Sequence, residues 1–273
     1  MWGNYNCPPA VTHSSTIYTI RTLIDLDIPL NEGCLTPIDI RLPKNSILDP
    51  GPALAVCGCT PASQRVIDTI LRAYGRVAAS QGCANSLGWG MGGRDPVTGI
   101  VHPGWNYGES LGGGSGAGPG WHGESAVHVH STNTRITDAE VIEKRTAVLV
   151  RQFAIRHGSG GKGQWRGGDG SVREIEARVP LKFSILSDSR VRRPYGMEGG
   201  GKGARGSNFV WKFDEDGVLV RIQIPGKSSN VLEPGERMEI RTPGGGGWGF
   251  PEGLGSGGDV DVDDMPEVDQ GLI

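Results

Sequence analysis

His128 and His130, two residues apart, are side chains whose type and spacing could do chemistry. On an extended strand, residues two apart point to the same face, a geometry that could ligate a metal. Two imidazoles do not complete such a site, and no Asp or Glu follows at close ligand spacing, so no metal ligand is assigned. Polar core or interface histidines would show the same pattern. Thr132, Asn133 and Arg135 follow directly and carry donors able to hold an oxyanion or a substrate amide; structural hydrogen bonds compete for them. Cys83 and Asn85 form another candidate group. Cys83 would be a nucleophile if a nearby base lowered its pKa, but no His is close in sequence, and cysteine also serves as a small buried hydrophobe. The run from Gly112 through Gly113, Gly114, Gly116 and Gly118 offers amides unencumbered by side chains, which could cradle a phosphate or position a substrate. No Gly-Lys-Ser/Thr follows, so it is not a P-loop, and a demanding loop packed on another subunit fits equally.

These groups must be positioned by helices before them and strands after them. Pro9 opens a helical pattern that places Ile17, Ile20, Leu23 and Ile24 on one face and should stop before Pro29. A second helix is expected over 61–79, with Val66, Ile67, Ile70, Leu71, Tyr74 and Val77 as its buried stripe. A third starts at Thr137, where Thr-Asp-Ala-Glu has capping-box spacing. After about residue 147 the period becomes two, and 172–178, 182–188, 208–213, 218–224 and 236–242 read as strands between Gly, Asp and Pro turns. The expected fold class is α+β, with helices mainly in the first half and an antiparallel, β-rich second half carrying glycine loops. We divide it at a soft boundary into an α+β part over 1–146, a β-rich part over 147–250 and a disordered acidic tail over 251–273.

Composition narrows the classes. The 273 residues suffice for a real core. The 46 glycines, about 17% of the chain against roughly 7% in average proteins, come in bursts without the Gly-X-Y period of collagen. Net charge is -3, but the tail from Glu252 holds seven acidic residues and no Lys or Arg, which leaves the rest of the chain net positive. Between Arg151 and Arg205 twelve basic residues face five acidic ones, a surplus that suits anionic ligands or solvated strand faces. No nucleic-acid partner and no membrane are expected, since nothing nears the roughly 18 consecutive apolar residues of a span. The five cysteines are odd in number, lack a CxxC pair and follow no secretory segment, as in a reduced, cytoplasmic protein.

Taken in order, the blocks say more than each alone. Asp27-Ile28-Pro29-Leu30-Asn31-Glu32-Gly33-Cys34, Ser63-Gln64-Arg65-Val66, Ala79-Ser80-Gln81-Gly82, Gly113 to Gly118, and Thr132-Asn133-Thr134-Arg135-Ile136-Thr137-Asp138 resemble the hydantoinase B/oxoprolinase family. The series continues with Gly158 to Gly161, Arg166 to Gly170, Arg193-Pro194-Tyr195-Gly196, Gly203 to Gly206 and Thr242 to Gly247. The residues around Trp121-His122-Gly123 are most similar to the C-terminal part of eukaryotic 5-oxoprolinase. The resemblance implies an ATP-dependent opening of a cyclic amide, 5-oxoproline to glutamate in glutathione turnover, through a phosphorylated lactam. It implies ATP and a divalent metal, held mainly by parts outside this chain. The implied partners are a hydantoinase A-type domain or subunit and an upstream hydantoinase B segment, in a homo-oligomer. The opening residues read as the interior of a longer polypeptide, so the chain is expected to be a partial subunit. A non-catalytic assembly fragment, or a related hydantoinase or ketone carboxylase subunit, remain alternatives. Within the resembling blocks, His128, His130, Asn133, Arg135, Cys83 and Asn85 are the candidate catalytic residues.

Overall fold

The computed structural model describes residues 5–94 and 97–251; most of the expected acidic tail, from residue 252, lies outside them. The α+β expectation is met. Three helices, α1 (Pro9–Leu23), α2 (Cys59–Ala73) and α3 (Ala139–Arg145), precede most of the strands. β1 (Ser86–Arg94), β2 (Val101–Ser110), β5 (Leu181–Leu186) and β8 (Lys227–Leu232) form one antiparallel sheet in the order β2-β1-β5-β8. The other contains β3 (Val148–Arg156), β4 (Gly170–Ala177), β6 (Ser207–Phe213), β7 (Leu219–Ile224) and β9 (Arg237–Arg241), ordered β3-β4-β9-β6-β7.

The five expected strands are present with ends shifted by a residue or two, and β1, β2, β3 and β8 are additions. β1 was hidden by its glycines. Leu87 and Trp89 alternate with Gly88 and Gly90, and the two apolar side chains are buried while the glycines lie on the opposite face. β1 pairs with β5 from Ser86↔Leu186 to Gly90↔Lys182, so one sheet joins strands from either side of residue 146. Leu87, Trp89, Phe183 and Ile185 from that sheet pack in one cluster with Ile175, Val210, Met238 and Ile240 from the other. Each such buried side chain contributes about 1.5–3 kcal/mol.

The helices depart from expectation in instructive ways. α1 buries Thr12, Ser15, Thr16 and Thr19 rather than its isoleucines. These hydroxyls are satisfied within the helix: Ser15 donates to the Val11 carbonyl at 2.7 Å, Thr16 to Thr12 at 2.9 Å and Thr19 to Ser15 at 2.7 Å. α2 stops at Ala73, six residues short of the expected end. Gly75 adopts φ +59, and the Gly75 and Arg76 amides close back on the Arg72 and Leu71 carbonyls, a Schellman stop. Tyr74 is therefore exposed, and Val77 lies beyond the helix. The buried stripe is Pro61, Ala62, Gln64, Ile67, Asp68 and Leu71. In α3 the cap is Asp138, whose side chain accepts from the Glu140 amide at 2.9 Å, not Thr137.

Glycine-rich segments outside the strands carry the least expected feature. Successive amides of Gly244, Gly245, Gly246 and Gly247 donate to the carbonyls of Ala204, Gly168, Ala79 and Gly201. The residues three apart return to the same neighbouring segment. The same step recurs elsewhere. Ala78 and Gln81 donate to Ala117 and Gly114; Gly114 and Ala117 donate to Pro243 and Gly246; Gly201 and Ala204 donate to Lys162 and Ser159. A strand repeats every two residues, whereas this three-residue repeat is that of the polyproline II helix, which has no internal hydrogen bonds and must find partners outside itself. The result is a bundle of backbones hydrogen-bonded to several neighbours at once.

Side chains cannot enter this bundle. A methyl group at Gly245 would lie 1.8 Å from the Ser115 carbonyl oxygen, so Gly245→Ala should cost about 3 kcal/mol or more, or prevent folding. Gly108→Ala is the control: its nearest neighbour would be 3.8 Å away, and its unfolding free energy from urea titration should stay within about 0.5 kcal/mol of wild type. A buried ion pair links the sheets: Arg173 on β4 donates to Glu109 on β2 at 3.0 and 3.3 Å, with both side chains nearly inaccessible. Arg173→Met strands the Glu109 carboxylate and should lower unfolding free energy by about 3–5 kcal/mol in the same urea titration.

Candidate functional site

α2 presents two polar residues, Gln64 and Asp68, where a helix normally places apolar ones, and they reach the loop that carries the histidines. His130 Nε2 lies 3.0 Å from Asp68 Oδ1; the imidazole is 14% exposed and the carboxylate 3%. The Ser80 amide donates to Asp68 Oδ1 and the Ser80 hydroxyl to Oδ2, each at 3.0 Å. Gln64 Nε2 donates to Thr132 Oγ1 at 2.8 Å and to the Val129 carbonyl at 3.2 Å. From α1, the Tyr18 ring meets the imidazole edge-on at 6.1 Å. Burial pushes the Tyr18 phenol up, and a backbone hydrogen bond with Ser131 works against that rise.

This loop is held in conformations that side chains rarely adopt. Ala126, His130 and Ser131 have φ of +53, +35 and +55. Backbone of this kind persists only where its surroundings over-determine it, and it gathers at functional sites. Residues 128–130 form no strand here, so His128 and His130 do not share a strand face. His128 is partly buried, and its Nδ1 has no hydrogen-bond partner among the described residues; burial lowers its pKa. No three His, Cys, Asp or Glu side chains among the described residues gather in an arrangement that could hold a metal.

Cys83 and Asn85 belong to a second, deeper cluster. Asn85, at φ +44, donates to Gln81 Oε1 at 2.6 Å and accepts from Arg190 Nη1 at 2.9 Å. Arg190 also donates to Asn208 Oδ1 at 3.1 and 2.8 Å. Burial pushes the Arg190 guanidinium down to about 10. Cys83 Sγ faces Asn85 Oδ1 at 3.3 Å and accepts from the Asp188 amide at 3.0 Å. Burial raises the Cys83 pKa against the opposing charge of Arg190, which keeps it a thiol rather than the thiolate a nucleophile requires.

The remaining candidates separate. Gly113, Gly114, Ser115, Ala117 and Gly118 donate their amides to the carbonyls of Val127, Pro243, Glu124, Gly246 and Trp121. Those donors are thereby spent on backbone carbonyls instead of facing a ligand. Asn133 and Arg135 are exposed. Arg135 lines an open groove of about 730 Å³ across the first sheet, with Ser86, Gly88, Gly108, Ser184 and Lys227; His130 is not part of its lining. Sequence reading missed Asp68 altogether and gave Gln64 no part in the site. The available signal was a polar pair four residues apart on the face shared with Ile67 and Leu71.

The hydantoinase B/oxoprolinase sequence profile matches residues 1–251. The chain belongs to the hydantoinase B/oxoprolinase family. It is 68% identical over 270 residues, 98% of its length, to the 5-oxoprolinase PfmaA of Pestalotiopsis fici, and 47% identical over 250 residues, 91% of its length, to 5-oxoprolinase 1 of Arabidopsis thaliana. It spans 20% and 19% of those proteins, about a fifth of each. Its fold matches that of the ATP-dependent caprolactamase from Pseudomonas jessenii, with a TM-score of 0.71 at 20% identity, over 90% of this chain and 44% of that one. No helix among the described residues is long and apolar enough to cross a membrane.

The depressed His128 pKa has a sign that can be tested. The folded state resists a proton that the unfolded chain accepts, so His128 subtracts stability as pH falls below the ordinary value of 6.5. His128→Gln should therefore lose less stability than wild type between pH 7 and 5 in urea titrations. Parallel curves for the two proteins would show that His128 is not held neutral by the fold.

Proposed function

We propose that the chain is the hydantoinase B-type portion of an ATP-dependent enzyme that opens 5-oxoproline to glutamate through a phosphorylated lactam. The single observation that carries a chemical role is His130, partly exposed in a strained loop and hydrogen-bonded to a buried carboxylate. The 5-oxoprolinases among its relatives support the choice of lactam. The ATP-dependent caprolactamase fold supports the use of ATP.

Opening such a ring requires a proton to leave the oxygen that adds to the activated carbon and another to reach the nitrogen that departs. A neutral imidazole can take the first and return it to the nitrogen, ending as it began. Breaking the carbon–nitrogen bond leaves an acyl phosphate, and a second water then releases inorganic phosphate to give the glutamate carboxylate. Phosphorylation of the lactam oxygen falls to a hydantoinase A-type partner, with ATP as phosphoryl donor. Exposed Arg135, with Asn133 beside it on the same loop, supplies donors toward an anionic group. The described residues do not assemble the divalent metal site that the family implies, so no step here is assigned to a metal. The deep Cys83–Asn85–Arg190 cluster shapes the scaffold beneath the site.

ATP-dependent glutamate release by this portion, assembled with a hydantoinase A-type partner and the rest of the hydantoinase B polypeptide, tests the proposal. His130→Ala should lower kcat on the order of 10²–10⁴-fold, and Arg135→Ala should raise KM. An assembled, folded His130→Ala enzyme with unchanged turnover would leave the chain an assembly element without chemistry.

A further inference from the structure

We infer that Asp68 is the positioning residue for His130, and that it dedicates the imidazole to proton transfer through Nδ1. The inference rests on the reading of His130 given above and adds which nitrogen acts and what selects it. An ionised carboxylate only accepts hydrogen bonds. The 3.0 Å contact with Asp68 therefore places the imidazole proton on Nε2. Nδ1 then keeps its lone pair, and among the described residues nothing hydrogen-bonds it. Asp68 is itself clamped, since its two oxygens accept from the Ser80 amide and hydroxyl at 3.0 Å each. The Tyr195 hydroxyl donates to the Asp68 backbone carbonyl at 2.6 Å, which ties this turn of α2 to a segment 127 residues further along the chain.

The geometry points to more than a buried polar contact. A hydrogen bond that served only to fasten the loop would work with His130 in any backbone conformation. Here the loop accepts left-handed φ at two consecutive non-glycine residues, His130 and Ser131, and Gln64 fastens the following turn separately through Thr132 and Val129. The fastening is thus supplied without Asp68, and the Asp68 contact is left to orient the ring. When Nδ1 takes a proton, the imidazolium forms beside a fixed, nearly inaccessible carboxylate, which stabilises it without reorganisation.

Two readouts separate this inference from the functional reading. In the unmodified chain near pH 8, nitrogen-15 NMR of histidine should show His130 with Nε2 protonated and Nδ1 bare, its resonances identified by their loss in His130→Gln. The opposite tautomer, or an even mixture, would overturn the inference even in an active enzyme. In the assembled enzyme, Asp68→Asn should lower kcat on the order of 10²–10⁴-fold with little change in KM. If His130→Ala abolishes turnover while Asp68→Asn leaves kcat and KM unchanged, Asp68 is only structural and the function stands. If neither variant changes turnover, the functional reading falls with it.

Discussion

Close backbone contact between glycine segments is the constraint on which this structure depends. Carbonyl oxygens of one segment occupy the space that Cβ atoms of the next would need, as at Gly114, Gly168 and Gly245. The bundle cannot tolerate side chains there, and its stability comes from hydrogen bonds between neighbouring backbones rather than from a hydrophobic seam. Glycine is also entropically costly to order. An arrangement of this kind persists only where many segments pair at once, and Gly244 to Gly247 each bond to a different residue.

The site hangs from that bundle. Residues 78–81 are one of its members through Ala78 and Gln81, and Ser80 between them holds Asp68. Gln81 reaches Asn85 and so ties in the deeper cluster with Arg190. On the opposite side, Gly113 and Val127 exchange backbone hydrogen bonds one residue before His128. The His130 loop is thus anchored by the bundle on one side and by α2 on the other. Sheet packing and the Glu109–Arg173 pair hold the remaining part of the chain together without touching His130.

Much of the architecture was legible from pattern. The alternation in β4, β5, β6, β7 and β9 is ordinary for strands with one buried face, and it was read nearly to the residue. β1 was not legible because glycine on its exposed face resembles a turn when only neighbours in sequence are known. α1 misled because its isoleucines follow helical spacing, while its short hydroxyl-bearing face satisfies itself internally and can be buried. His130 stood out by residue type. Asp68 did not, because a lone acid on an apolar helix face acquires meaning only from a partner 62 residues away.

The sequence by itself determined the α+β class and the family, since these follow from local periodicity and from blocks in fixed order. Tertiary structure decided which polar residues act together. It made Gly113, Gly114 and Gly118 of the phosphate-loop candidate packing residues by directing their amides to carbonyls. It kept Cys83 a thiol by burying it. It set His130 against Asp68, whereas the chain alone suggested His128 as its companion. The physical reason is common to all three. Hydrogen-bond partnership and desolvation depend on distance in space, and residues remote in sequence supply both.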